Sequence, residues 1–288
     1  MSLEIRNSST LIRPDRFRWK VLIVGRPGTG KTSWASRSIN PGIAACETGH
    51  GDGMLSVARL GIDYVQPSSI DDFKAICSGR IFPDKDTIVL DSISAMTRTF
   101  VKDYALSFPR QRGDSPKRKS GVPELDDYGT IGEVTRSLLS QLLDLDKNIV
   151  VTAIEKTEKD ENGVVVGIGP DLPGQLFLGA PAMFDSVLYF KTRKKLRIPG
   201  NANSAYTEYY IITENDGFHV GKDRNNAGPG KSILQREEIF DLATGAGSFS
   251  ALHAKIVAAY NPAPPPPNPP GSLGSGLLPS ERVAAAAL

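Results

Sequence analysis

Apolar residues in this chain fall into short unbroken blocks separated by longer polar stretches. Lys20-Val21-Leu22-Ile23-Val24, Gly42-Ile43-Ala44-Ala45-Cys46, Thr87-Ile88-Val89-Leu90-Asp91 and Asn148-Ile149-Val150-Val151-Thr152-Ala153-Ile154 are continuous rather than alternating. Such runs are what strands buried on both faces of a parallel sheet look like. Tyr64-Val65 reads as a further short strand. Between these blocks lie helical stretches: residues 32–39, stopped by Asn40-Pro41-Gly42, then 53–60 and 70–77. The longest, about 126–145, places Ile131, Val134, Leu138, Leu142 and Leu145 at the three-and-four spacing of a core-facing stripe. Strands alternating with helices predict an α/β fold, a mostly parallel sheet flanked by helices.

The second half changes character. Glu161-Asn162-Gly163 and Asn215-Asp216-Gly217 are hairpin-turn sequences. Val164 to Val166 returns from the first, and Phe218-His219-Val220 follows the second. With strands at 186–191 and 207–213, this predicts antiparallel hairpins added C-terminally to the parallel sheet. The core therefore runs over residues 18–260, with 1–17 an N-terminal arm. Residues 261–288 hold eight of the chain's 21 prolines and a Gly-Ser-Leu-Gly-Ser-Gly stretch, a composition expected to be polyproline-like or disordered. Its end, 279–288, is either a passive tail or a docking segment for a protein partner.

Composition narrows this only a little. With 288 residues, 40% hydrophobic and 23% charged, the chain suits one large α/β domain or two small ones. No stretch approaches the roughly 18 apolar residues of a membrane span, and the Arg-rich start lacks a signal-type apolar region. Cys46 and Cys77 have no metal or redox spacing and read as reduced core thiols, so the expected compartment is cytoplasmic. The net charge of +2 is too small to imply a polyanion partner by itself. Its distribution is more informative, because 110–119 carries five basic residues against one acid and 191–197 carries five in seven. Each run is either a solvated surface or a contact for nucleic acid or another subunit.

Chemistry enters at Gly25-Arg26-Pro27-Gly28-Thr29-Gly30-Lys31-Thr32, which fits the phosphate-binding pattern G-x-x-x-x-G-K-[ST] at every specified position, with Ser33 following. A buried strand precedes it and a helix follows, the context the motif requires. Glycines let successive N–H groups point inward at phosphates, Lys31 reaches the β- and γ-phosphates, and the Thr32 hydroxyl ligates Mg2+. The helix start adds its dipole. Hydrolysis of ATP further needs a magnesium carboxylate, a group orienting water and a cation for the developing charge. Asp91, ending an apolar strand, fits the first, or else caps the helix beginning at Ser92-Ile93. Ser92 stands where many such ATPases place a catalytic Glu, so the base must come from elsewhere; Glu47, ending the second apolar strand, is the candidate. Otherwise it is a solvated loop carboxylate.

Cys46-Glu47-Thr48-Gly49-His50-Gly51-Asp52, Leu60-Gly61-Ile62-Asp63, Asp91-Ser92 and the 148–154 strand together resemble the RecA-type recombinase and helicase core over about residues 18–228. The resemblance implies a RecA-like P-loop NTPase fold, ATP and Mg2+ as ligands, and assembly into a ring or filament with ATP sites shared between subunits. It gives Lys31 and Glu47 catalytic roles. In Gly221-Lys222-Asp223-Arg224-Asn225-Asn226 it implies a Lys-x-Arg element, Lys222 and Arg224 reaching a neighbour's nucleotide. Glu155 falls where the family has a γ-phosphate-sensing amide. Length and motifs most resemble short phage-type ATPases, including core-only single-strand annealing proteins, which would act in the cytoplasm of a bacterial host.

The family binds single-stranded DNA through loops after the third and fourth strands. The first corresponds to 108–127, with Arg110, Arg112, Lys117, Arg118 and Lys119 as DNA-binding residues among loop-forming Gly and Pro. The second, 155–172, has mixed charge and is a poor electrostatic binder. The main expectation is thus an ATPase acting on single-stranded DNA in annealing or strand pairing. The alternatives are a nucleotide-gated oligomeric interaction protein and an ATP-driven helicase or packaging motor. A small-molecule kinase lacks an identifiable acceptor site, and a transporter ATPase lacks its Leu-Ser-Gly-Gly signature. An AAA+ machine is disfavoured by Ser92 and by the lack of an evident helical lid.

Overall fold

The computed structural model describes residues 13, 15–47, 52–107, 122–226 and 231–261. The basic segment bearing Arg110, Arg112, Lys117, Arg118 and Lys119 lies outside the described residues, as do the arm through residue 12 and the tail from 262.

Strand β1 (Lys20–Gly25) is followed by α1 (Lys31–Ala35), β2 (Pro41–Ala45), α2 (Asp52–Leu55), β3 (Asp63–Val65), α3 (Ile70–Cys77) and β4 (Thr87–Asp91). Next come α4 (Ile93–Met96), a π-helical turn over Thr97–Val101, α5 (Lys102–Ser107), α6 (Leu125–Leu143) and β5 (Asn148–Lys159). The chain continues through β6 (Val165–Pro170), α7 (Leu176–Ala182), β7 (Ser186–Leu196), β8 (Ala205–Ile212), β9 (Lys222–Asp223), β10 (Glu237–Phe240) and α8 (Phe249–Tyr260). The strands form one mixed sheet in the order β10-β8-β7-β1-β5-β4-β2-β3, with β6 on β5 and β9 on β7. Pairing from β7 through β1, β5, β4 and β2 to β3 is parallel, whereas β8, β10, β6 and β9 are antiparallel additions.

Local sequence explains the helices on one face. Ser69 and Asp72 form a reciprocal capping box at α3, and Glu124 with Asp127 does the same at α6. Ile131, Leu138 and Leu142 of α6 bury against Leu22, Val24, Leu90 and Val151. On the opposite face Trp19, Trp34 and Phe249 meet in mutual edge and tilted contacts, with ring centroids 5.1 to 6.1 Å apart. Both indole N–H groups are satisfied, Trp19 by Ser186 Oγ at 2.7 Å and Trp34 by Gly247 O at 2.8 Å. This trio ties α1 and α8 to the sheet.

The helix expected over 53–60 is instead the short α2 and a separate 3-10 turn at Ala58–Leu60, and three further elements differ from expectation. The helix after the phosphate loop ends at Ala35 rather than residue 39, because Trp34 and Ala35 are already buried and the chain turns toward β2. Residues 155–172 form a hairpin, β5 running on past the sheet to pair with β6, rather than a loop. Residues 218–220 do not return along β8, whose two edges are occupied by β7 and β10. Instead Asp216 accepts the N–H groups of Phe218 and His219, and His219 bridges to Ile168.

Phe249→Ala removes a ring packed between two buried tryptophans and is expected to cost about 3–5 kcal/mol in urea titration. A loss below about 1 kcal/mol would show that the trio does not hold α8 to the sheet.

Candidate active site

The phosphate loop leaves the sheet at its centre. β1 pairs with β5 through Gly25↔Ile154 and with β7 through Gly25↔Phe190, so neighbours on both sides fix its end. Gly25 is required by crowding: a Cβ there would lie 2.7 Å from Thr29 Oγ1 and 2.8 Å from Phe190 O. Gly28 (φ 78°) and Gly30 (φ 87°) take left-handed conformations open to glycine at little cost. Thr29 closes the curl by donating its hydroxyl to Arg26 O at 2.8 Å. Arg26, Pro27 and Gly28 are exposed, and Lys31, Thr32 and Ser33 are half-buried in the first turn of α1.

Lys31 Nζ donates to Gly25 O at 2.8 Å and Arg26 O at 3.0 Å, which puts the ammonium inside the curl. Burial lowers its pKa, opposed by Asp91, Glu47 and Glu155 in that order. Three acids thus act electrostatically on the lysine of the loop. Thr32 Oγ1 donates to Asp91 Oδ2 at 2.7 Å, and Thr152 Oγ1 donates to the other carboxylate oxygen. Asp91 is thus held from both sides with 9% of its surface exposed. It does not cap the next helix; Ser92 does, accepting the Ala95 N–H. A hydroxyl and a carboxylate side by side form a hard-oxygen pair that could hold Mg2+, whose remaining ligands are ordinarily phosphate oxygens and water.

Glu47 stands two residues beyond Ala45, which is in register with Asp91. Its carboxylate lies over Gly53 at the start of α2, where a Cβ would sit 3.3 Å away. Glu47 keeps substantial exposure to water, yet its carboxyl is raised above its ordinary value. Lost hydration is the main cause, Asp91 adds to it and Lys31 opposes it. A carboxylate whose proton affinity is raised at the edge of a phosphate site can polarise water.

Lys222 and Arg224 do not join this group. β9 pairs with Ser186 and Val187 at the start of β7, roughly 13 Å along that strand from Phe190 and the loop. Lys222 Nζ donates to Pro181 O and Ala182 O, and Arg224 donates to Ala182 O, so both serve the carbonyl end of α7. Sequence reading missed Thr152, one hydroxyl inside an apolar strand, and Tyr209, whose ring would lie 3.2 Å from a Cβ at Gly30. Only strand order reveals either one. Thr152→Val leaves a buried Asp91 oxygen short of a donor and is expected to cost about 1–3 kcal/mol in chemical denaturation. Unchanged stability would mean that the hydroxyl is not holding Asp91.

No curated protein matches the chain. Among solved structures it is similar to the flagellar accessory protein FlaH of Methanocaldococcus jannaschii, at 15% identity over 76% of this chain and 83% of that one, with TM-score 0.37. It is also similar to a KaiC-like protein of Pyrococcus horikoshii, at 14% identity over 77% and 84%, with TM-score 0.42. The family model described as AAA domain matches residues 18–225. This corrects the expectation that disfavoured an AAA-type ATPase because of Ser92 and the lack of an evident helical lid: Ser92 is the N-cap of α4, and the family match holds without a Glu after Asp91. Among the described residues no helix is long and apolar enough to cross a membrane. With an α/β P-loop core, a mostly parallel sheet and a family match over most of its length, the chain belongs to the AAA domain family and is an ATP-hydrolysing enzyme.

Proposed function

We propose that the protein is a nucleotide-gated oligomeric ATPase. Lys31 binds the phosphates, Thr32 and Asp91 ligate Mg2+, Glu47 activates water, and Lys222 or Arg224 completes the site of a neighbouring subunit. The observation that carries this reading is the convergence of Lys31, Thr32, Asp91 and Glu47 on one sheet edge, with Lys222 and Arg224 at the other. A chain whose arginine lies far from its own phosphate loop can use it on a nucleotide only in trans. Such an assembly changes its subunit contacts with nucleotide state and so acts on a partner, for which the Pro-rich tail is the candidate docking segment.

A second reading makes single-stranded DNA that partner, in phage-type annealing or strand pairing, and one observation favours it. A cavity of about 640 Å³ between the π-helical turn with α5, α6 and the β5–β6 hairpin is lined by Lys102 and Lys156 beside Tyr128 and Leu125, with Arg98 in its wall ion-paired to Asp171. Cations beside an aromatic ring suit a strand bound by its backbone and stacked bases. Pro123 also lines it, four residues after Lys119, the last of the basic residues Arg110, Arg112, Lys117, Arg118 and Lys119. Single-stranded DNA should then raise ATP turnover several-fold, and Lys102→Glu/Lys156→Glu should abolish the rise. Turnover indifferent to DNA would leave the interaction-protein reading standing alone.

Two further outcomes follow from the main reading. Glu47→Gln is expected to lower turnover by at least about 100-fold. The same change should raise Tm at neutral pH, because a carboxyl raised in the folded state destabilises the protein above its unfolded pKa, and an uncharged amide removes that term. In the wild type turnover falls as pH drops through the raised carboxyl. A Glu47→Gln variant with wild-type turnover and lower Tm would remove Glu47 from the mechanism. Mixing inactive Arg224→Ala with inactive Lys31→Ala subunits should restore activity, since one supplies the loop and the other the arginine. No recovery on mixing would refute the shared site.

A further inference from the structure

A second charged arrangement lies against the phosphate loop, and the loop motif does not explain it. Glu155 is the first residue of β5 past the pairing Gly25↔Ile154, and Lys191 is the first of β7 past Gly25↔Phe190. Their side chains meet across the end of β1, from the two strands that flank it. Lys191 Nζ donates to Glu155 Oε2 at 2.5 Å, and Arg26 Nε, within the loop, donates to Glu155 Oε1 at 3.3 Å. The carboxylate is 2% exposed and the lysine side chain 19%, whereas Arg26 is 74% exposed. Glu155 also acts on Lys31, so the pair lies within electrostatic reach of the lysine that grips the phosphates.

A buried carboxylate beside a polyphosphate site is unfavourable unless a cation stands between the two. Lys191 is placed to be that cation. Its ammonium has three donors, and one is used by Glu155. Glu155 fixes a long, flexible side chain at the sheet edge, which removes most of the entropy a lysine would lose on gripping a phosphate.

We propose that Lys191 is a γ-phosphate-binding residue contributed by the same chain, that Glu155 is its positioning residue, and that together they make the site distinguish nucleoside triphosphate from diphosphate. The proposal rests on the ATP reading of the loop. It differs from the family expectation for the 155 position, because the contact to phosphate comes from β7 and the acid on β5 only aims it.

The test is equilibrium binding of ATP and ADP, with Mg2+, to the full chain carrying Lys191→Met or Lys191→Met/Glu155→Gln, with Tm recorded for each. Lys191→Met alone leaves a buried carboxylate with only Arg26 and is expected to lower Tm; the double variant removes that charge and recovers it. In both, ATP affinity should fall about ten- to hundredfold while ADP affinity stays within about twofold, the loss of one charge-assisted hydrogen bond to the γ-phosphate. A double variant with the wild-type ATP-to-ADP ratio, or either variant weakening both nucleotides equally, overturns the proposal and leaves a purely structural ion pair. Wild-type protein binding neither nucleotide would instead overturn the reading of the loop.

Discussion

The site depends on one constraint: β1 is paired on both edges and covered on both faces. Val21, Leu22, Ile23 and Val24 are fully buried, between the α6 side and the Trp34 side. A strand so confined cannot shift register without exposing its core residues. The phosphate loop therefore starts from a fixed point, and each residue placed one step past the neighbouring strands arrives at a fixed distance from it. Asp91 and Glu155 reach the loop directly, and Thr152 and Lys191 act on it through them, because parallel strands end together at one edge of the sheet. The geometry of the site is a consequence of register, and register is a consequence of apolar burial.

That dependence explains what the sequence made legible. Continuous apolar runs identified β1, β2, β4 and the buried part of β5, and the capped, periodic stretches gave α3 and α6 nearly to the residue. The phosphate loop and Asp91 could be read because they are local: a motif and a strand end. Thr152 could not, since its meaning lies in a hydrogen bond to Asp91 sixty-one residues away. Nor could the Glu155–Lys191 pair, which exists only because β7 returns to lie beside β1. The 218–220 return failed for a related reason: turn chemistry predicts a hairpin, but whether the partner strand has a free edge is a tertiary fact. Lys222 and Arg224 were legible as a motif, while their place at the far end of β7 and their contacts with α7 were not.

Electrostatically the site is a near-balance. Glu47, Asp91 and Glu155 gather around Lys31, with Arg26 and Lys191 as further cations. Each acid has a distinct environment. Asp91 is held by two hydroxyl donors and Glu155 by two cations, whereas Glu47, with neither among the described residues, carries the raised carboxyl. These three environments match the three tasks proposed for the acids: holding a metal, aiming a lysine and accepting a proton.

In the proposed mechanism the Thr32–Asp91 pair holds Mg2+, and nucleotide binding depends on it. The direct measurement is ATP affinity by calorimetry with and without Mg2+, for wild type and Asp91→Asn. Mg2+ should tighten ATP binding to wild type by about tenfold or more, and Asp91→Asn should lose most of this gain. An Asp91→Asn variant that keeps the full Mg2+ dependence would contradict that mechanism.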